Sequence, residues 1–169
     1  NKIKFSNNKK ISTKDKIFPI FIIGLPRSGS TLIEAIISSS DHKNLHSLGE
    51  CHVINTSILK QIGPKIYKDD FDINNFNFEI NLEILSETVH EKYLDFNDGF
   101  KLDKQILIDK SLENFFNIEI ILNLYPKAKF LHTLRNPYDS AISIFQSMLP
   151  DLSWTHYIKD ILNYMDNYL

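Results

Sequence analysis

The chain has 169 residues, 43% hydrophobic and 24% charged, which is enough apolar material for one globular core. Nineteen Lys and Arg against twenty-one Asp and Glu give a formal net charge of −2, which excludes an overall positive field for nucleic acid or an anionic membrane. A single cysteine, Cys51, excludes an intramolecular disulfide and any multi-cysteine zinc site. We therefore expect one domain without a nucleic-acid partner, in a reducing, cytoplasmic compartment.

The two ends of the sequence differ from its middle. Residues 1–16 are rich in Asn and Lys, a composition typical of a solvated linker, and the first core-like run covers residues 17–23. That run is far shorter than the roughly 20 residues that cross a bilayer, so we expect no membrane span. The first residue is not Met, and the last helical pattern is still running at Leu169. We expect a fragment of a longer protein, with a linker over 1–16 and a C-terminally incomplete domain over 17–169.

Strand and helix patterns alternate along that domain. Residues 17–23 form the continuous apolar run of a buried parallel strand, and from Ser30 the spacing predicts a helix with Leu32, Ala35 and Ile36 on the sheet. Further patterns predict strands over 45–48, 105–108 and 130–134, and helices over 30–39, 52–62, 80–95, 112–124, 136–148 and 151–169. We expect Gly63 and Pro64 to end the second of these helices. The alternation predicts an α/β domain with a mostly parallel sheet.

A glycine-containing loop joins the first predicted strand to the first helix. Residues 24–31 have the spacing of the phosphate-binding loop G-x-x-x-x-G-K-[ST], with Ser30 in place of the lysine. Backbone N–H groups of such a loop converge on an anion at the positive end of the helix. The missing lysine disfavours chemistry on a nucleoside triphosphate but not phosphate binding, and Arg27 adds a cation inside the loop. The alternative is an ordinary Gly/Pro turn without a ligand.

A second motif follows the last predicted strand. Arg135 leaves the end of that strand, Asn136 and Pro137 begin a helix as N-cap and first residue, and Ser143 lies about two turns further on. Arg135 and Ser143 can both donate to a phosphate that lies along the flank of the helix. Taken alone, such an Arg more often makes a surface ion pair, and such a Ser more often bonds its own backbone.

Together the two motifs resemble the 5′-phosphosulfate loop and the 3′-phosphate motif of sulfotransferases that use 3′-phosphoadenosine 5′-phosphosulfate (PAPS). The segments FIIGLPRSGSTLIEAIISSS, LGE and ILIDKSLENFFNIEIILNLYPKAKFLHTLRNPYDSAISIF are most similar to tyrosylprotein sulfotransferases and to bacterial sulfotransferases with tetratricopeptide repeats. The resemblance covers residues 19–164. It implies a P-loop-type three-layer α/β fold, PAPS as sulfate donor, and a hydroxyl acceptor on a peptide tyrosine, a sugar or a small molecule. It also implies N-terminal tetratricopeptide repeats outside this chain.

The resemblance assigns roles by position. It implies that two groups of residues hold the donor: for the 5′-phosphosulfate, Arg27, Ser28, Gly29, Ser30 and Thr31, and for the 3′-phosphate, Arg135 and Ser143. Glu50 matches the acidic base of the family, and Lys110 matches a lysine that stabilises the bridging oxygen as the sulfuryl group leaves. Sulfuryl transfer needs in-line attack by a hydroxyl, a base and cations on the leaving phosphate. Glu50 would supply the base, and Arg27 and Lys110 the catalytic cations.

Several alternatives stay open at this stage. Judged without the family, Glu50 is more often a carboxylate at a helix start, favoured by the helix dipole. His52 is a competing base, since many cytosolic sulfotransferases use a histidine. A P-loop kinase or nucleoside triphosphatase, with Asp109 as its Mg²⁺ ligand, and a non-catalytic nucleotide-binding module are the alternative functions. Scattered histidines without an H-E-x-x-H pattern predict no metal site, and we expect His132 to pack in the core.

Overall fold

The computed structural model describes residues 2–6, 17–40, 42–67, 77–96, 105–150 and 152–168. In chain order the strands are β1 (Lys2–Ser6), β2 (Ile17–Gly24), β3 (Leu45–Ser47), β4 (Asn77–Asn81), β5 (Gln105–Asp109) and β6 (Lys129–Thr133). The α-helices are α1 (Ser30–Ser38), α2 (Val53–Ile66), α3 (Leu82–Asp95), α4 (Ile118–Leu124), α5 (Pro137–Ser147) and α6 (Ile158–Tyr168). Two 3-10 helices, Leu112–Asn117 and Ser153–His156, precede α4 and α6.

The central sheet has four parallel strands in the order β3-β5-β2-β6. Its middle strand β2 is apolar on both faces, and Phe21 and Ile22 are fully buried, as expected for a strand covered on two sides. The main core packs β2 and β5 against α2, α3 and α4, and a smaller cluster joins α5 to α6. This architecture confirms the predicted P-loop-type three-layer α/β fold with a mostly parallel sheet.

The parallel sheet determines where a site can form. Because all four strands run the same way, the segments that leave their carboxyl ends emerge at one edge of the sheet. The phosphate-loop motif follows β2, Glu50 follows β3, Lys110 follows β5 and Arg135 follows β6. Residues far apart in sequence are thereby brought together.

Helix α1 has the predicted length and spacing but a different rotation. Ser30 is buried and Ile33, Glu34 and Ile37 are half-buried, whereas Leu32 and Ile36 are 64% and 58% exposed and Ala35 is exposed as well. The prediction that Leu32, Ala35 and Ile36 face the sheet was therefore wrong. Apolar residues cover a broad arc of this helix, so its sequence does not fix which part of that arc faces the sheet.

Helix α2 does not end at Gly63 and Pro64 as predicted but continues to Ile66. Pro64 lies in the last turn, where its missing N–H removes a single helical hydrogen bond. The carbonyl of Gly63 still accepts the N–H of Tyr67 at 3.1 Å, which closes the helix.

Other boundaries also differ from the predictions. Residues 2–6 of the expected linker form β1, which pairs in parallel with the unpredicted strand β4, while residues 7–16 lie outside the described residues. Residues 112–124 divide into a 3-10 helix and α4, and the predicted helix start at Asp151 and end at Leu169 also lie outside the described residues. His132 is exposed on the edge strand β6, where its ring bonds Tyr168, so the expectation of a core position was wrong.

Candidate functional site

A cavity of about 780 Å³ lies at the carboxyl edge of the sheet. One side is formed by the phosphate-loop segment and the residue after β6, with Arg27, Gly29, Ser30, Thr31 and Arg135. The other lining residues include four polar ones, Glu50, His52, Asn55 and Glu113. They also include apolar and aromatic ones, Phe116, Leu149, Pro150, Leu152, Trp154 and Tyr164. The phosphate-loop segment and Arg135, more than a hundred residues apart in sequence, therefore share one cavity, whereas Ser28, Lys110 and Ser143 are not among its lining residues.

The backbone of the phosphate loop is tightly constrained. Gly24 has φ +153°, and a Cβ there would lie 2.3 Å from the Thr133 hydroxyl oxygen and 2.7 Å from the Thr133 carbonyl, so only glycine fits between β2 and β6. The Ser28 hydroxyl donates to the Leu25 carbonyl at 2.6 Å and lies 2.6 Å from Thr133 Oγ1. The side chain of Ser28 thus fastens the loop to β6, while its neighbours line the cavity.

The loop opens directly into the N-terminus of α1. Gly29, at φ +96°, is the N-cap, and no side chain caps the first turn of this nine-residue helix. The first N–H groups of a helix have no partner within it, and the helix dipole favours negative charge at this end. Ser30 and Thr31 line the cavity here, so the site offers backbone and hydroxyl donors to an anion.

Two arginines join the loop to the segment after β6. Arg135 donates from Nη1 to the carbonyl of Arg27 at 3.1 Å, and Arg27 donates from Nε to the Ser143 hydroxyl at 3.1 Å. Both guanidinium groups are exposed, and Asn136 caps α5 by accepting from the N–H of Tyr138 as predicted. The two arginines leave most of their donors for an external partner, and Ser143 lies beside them.

The opposite wall is built around an ion pair. Lys110 Nζ lies 2.7 Å from Glu50 Oε1 and 3.7 Å from Glu34 Oε2. The Lys110 side chain is only 7% exposed and Glu34 is 15% exposed, whereas Glu50 is 54% exposed. The Lys110 N–H donates to the Gly49 carbonyl at 2.9 Å, which joins the segments after β3 and β5. Glu50 therefore lines the cavity while it forms an ion pair with a buried lysine.

A buried hydrogen-bond network involves Asp109 and Ser111, the two residues on either side of Lys110. Asp109 is fully buried and accepts from the Tyr93 hydroxyl at 2.8 Å and from the Ser111 N–H at 2.9 Å. The Ser111 hydroxyl accepts the His52 N–H at 2.8 Å. Burial, reinforced by Asp109, raises the pKa of both Tyr93 and Cys51, so these two groups stay neutral. Asp109 is thus bonded within the interior and does not line the cavity.

His52, the competing base, has a separate place in the cavity. It precedes α2 in the left-handed conformation, at φ +52°, and its ring Nδ1 bonds the Glu113 carboxylate. The Glu50 carboxylate instead bonds Lys110, so each candidate base has its own partner.

Three aromatic residues, Phe116, Trp154 and Tyr164, form one wall of the cavity, which we call the aromatic wall. The sequence did not predict that they belong to the site. The Trp154 and Tyr164 rings stack at a centroid distance of 4.0 Å, and Phe116 meets Tyr164 edge-on at 5.9 Å. Burial, followed by the charge of Glu113, raises the pKa of Tyr164 to about 12, so its hydroxyl stays protonated. Phe116, Trp154 and Tyr164 lie in three different helices, so only the folded chain brings them together at the cavity.

Glu34 was also missed. The only signal in the sequence is a single carboxylate within the apolar run of α1. Its contacts with Lys110 and with the Ser47 hydroxyl arise only because α1, β3 and β5 meet at the same edge of the sheet.

Over the described ranges, no group of three or more His, Cys, Asp or Glu side chains is arranged to hold a metal ion. No helix in the same part of the chain has the length and apolar character to cross a membrane.

Comparison with known proteins places this chain in a family. An uncharacterized protein of Aquifex aeolicus (strain VF5) is 31% identical over 134 residues, which cover 76% of this chain. The same match covers 17% of the Aquifex protein, so the chain spans a small part of that relative's length. The model of the Sulfotransferase family matches residues 19–168, which include both phosphate motifs, Glu50 and Lys110. The chain belongs to the sulfotransferase family.

Proposed function

We propose that this domain transfers a sulfuryl group from PAPS to an acceptor hydroxyl, with Glu50 as base and Arg27 and Lys110 as catalytic cations. One observation carries the proposal: a single cavity joins a cationic phosphate loop to a carboxylate that is hydrogen-bonded to a buried lysine. An anion site alone would serve any nucleotide. Its combination with a base and a lysine suits group transfer from a phosphosulfate anhydride.

The donor end of the cavity matches the charges of PAPS. The loop N–H groups, Ser30, Thr31 and Arg27 would hold the 5′-phosphosulfate, and Arg135 with Ser143 would hold the 3′-phosphate. A volume of about 780 Å³ lies in the range of small-molecule sites, which run from about 300 to 1,000 Å³. Ser28 would contribute its backbone, because its hydroxyl is engaged with Leu25 and Thr133.

The reacting end supplies the remaining parts. The acceptor oxygen would attack sulfur in line with the bond to the bridging oxygen, and Glu50 would take the proton of the acceptor. Lys110 and Arg27 would stabilise the charge that develops on the leaving phosphate. Each of these side chains lines the cavity or bonds a residue that does.

The aromatic wall favours an aromatic acceptor, and protein tyrosine is one member of that class. Phe116 and Trp154 give the cavity apolar ring surfaces on which a phenol can stack. A kinase or nucleoside triphosphatase is the weaker reading, because Ser30 replaces the loop lysine and Asp109 is bonded in the interior. We therefore propose sulfuryl transfer without a metal ion.

The test uses the full chain with PAPS labelled in its sulfuryl group. The label is followed into a tyrosine-containing peptide, a simple phenol, a sugar and an aliphatic alcohol, with EDTA present throughout. We expect labelled product with the phenolic acceptors. Transfer of the γ-phosphate of ATP in the presence of Mg²⁺, with no transfer from PAPS, would contradict the proposal.

A further inference from the structure

Lys110 has two carboxylate partners, and only one of them faces the cavity. Glu50 Oε1 lies 2.7 Å from its ammonium group and is half-exposed, while Glu34 Oε2 lies 3.7 Å away on the buried side. Glu34 is itself fixed, because its other carboxylate oxygen accepts the Ser47 hydroxyl. One buried ammonium is thus shared between a carboxylate that can reach a substrate and one that cannot.

The arrangement matters because Glu50 would change its charge during the proposed reaction. The acceptor oxygen forms a bond to sulfur, the bond from sulfur to the bridging oxygen breaks with its electron pair on that oxygen, and the acceptor proton moves to Glu50. Glu50 is then neutral and no longer balances Lys110. An ammonium group that is 7% exposed and has no anionic partner is strongly unfavourable.

We propose that Glu34 is a positioning residue that keeps Lys110 charged and in place while Glu50 is protonated. This inference rests on the proposed function of Glu50 as base. Before transfer, two carboxylates share one ammonium group; after transfer, Glu34 and Lys110 form a neutral pair and Glu50 carries the proton. Lys110 can therefore act on the leaving oxygen at the moment when its first partner is lost.

A double-mutant cycle in the full chain tests the inference without an acceptor. Glu50→Gln imitates the protonated base, and Glu34→Gln removes the charge but keeps the size and an oxygen for Ser47. Each single variant leaves Lys110 one carboxylate, so each should fold. In urea unfolding, the unfolding constant of the double variant should rise about tenfold beyond the product of the two single effects.

Two backgrounds separate a role through Lys110 from a general loss of charge. With Lys110→Met, the coupling between positions 34 and 50 should fall within about twofold of additivity. Combining Glu50→Gln with Glu87→Gln, which removes an exposed carboxylate on α3, should be additive within the same limit. Coupling that persists with Lys110→Met would overturn the inference, and so would additivity of the two variants when Lys110 is present.

A spectroscopic readout and a rescue complete the test. The ¹⁵N-detected ammonium signal of Lys110 should persist in both single variants and broaden or disappear in the double variant. Glu34→Asp in the Glu50→Gln background should restore it, since the charge returns. Loss of the signal with Glu50→Gln alone would contradict the inference. Titration of the wild type with adenosine 3′,5′-bisphosphate tests the proposed function separately, because absence of binding there leaves the cycle intact.

Discussion

The two ends of the cavity hold their charges in opposite ways. At the phosphate-loop end, Arg27 and Arg135 are exposed, and their partners are a backbone carbonyl and the hydroxyl of Ser143. At the other end, Lys110 is buried between two carboxylates above the Tyr93–Asp109 network. Exposed cations are suited to meet an incoming anion, whereas a buried ion pair is already oriented for a reaction. Substitutions of Arg135 at one end and of Glu50 at the other should therefore separate binding from turnover.

The largest effect should come from the reacting end. Glu50→Gln keeps the size of the side chain but cannot take the acceptor proton, so turnover should fall by about 10² to 10⁴ while donor affinity stays near normal. Initial rates and titrations on the same preparation check this. His52→Ala is the control and should be much milder. Near-normal turnover of Glu50→Gln with an inactive His52→Ala would assign the base to His52.

Substitutions at the phosphate-loop end should weaken binding, with smaller effects than loss of the base; Arg27→Ala should also lower turnover, because Arg27 is a proposed catalytic cation. Arg27→Ala and Arg135→Ala each remove a charge-assisted contact to a phosphate, so each should weaken binding of adenosine 3′,5′-bisphosphate by about tenfold to a hundredfold. Calorimetric titration measures the change. Lys129→Ala serves as the matched control, because Lys129 is an exposed cation at the start of β6, the strand that precedes Arg135. Unchanged affinities in both arginine variants would contradict the assignment of this end.

A third comparison concerns the backbone that supports the loop. A methyl group at Gly24 would collide with the hydroxyl and carbonyl oxygens of Thr133, so Gly24→Ala should lower the free energy of unfolding by about 1 to 3 kcal/mol. Gly63→Ala is the control, because its nearest new contact would be 3.7 Å away, on Tyr67, within helix α2. Urea unfolding of both variants measures the difference. Equal stability of the two variants would contradict this expectation, because β2 and β6 would then be able to move apart and admit the methyl group.

The smallest effect concerns Cys51, beneath the reacting end. Burial raises the pKa of its thiol, so a smaller fraction is thiolate in the folded chain than in the unfolded chain at any given pH. Raising the pH from about 7 to 9 should greatly accelerate alkylation by iodoacetamide in urea but have little effect on the folded protein. Mass spectrometry measures the modification. Rapid alkylation of the folded chain would show that the network below Glu50 opens readily.

The local structure of the loop and of the Asn136 cap could be predicted from the sequence, whereas the contacts of Lys110 could not, for a physical reason. The loop and the Asn136 cap are local features, since each depends on residues within one turn of one another. The partner of Glu50 lies sixty residues away in sequence, directly after another strand, so its ion pair depends on the strand order. The rotation of α1, and with it the contact of Glu34 with Lys110, was not predicted because the apolar arc of that helix is broad.

The most direct test of the account is whether the cavity recognises a 3′-phosphate. Adenosine 3′,5′-bisphosphate and adenosine 5′-monophosphate differ only in that group, and Arg135 and Ser143 are the side chains proposed to bind it. Titrated into the full chain at one ionic strength without Mg²⁺, the bisphosphate should bind at least about tenfold more tightly. Arg135→Ala should remove most of that difference. Equal binding of the two nucleotides by the wild type, or tighter binding of ATP, would contradict the proposed donor.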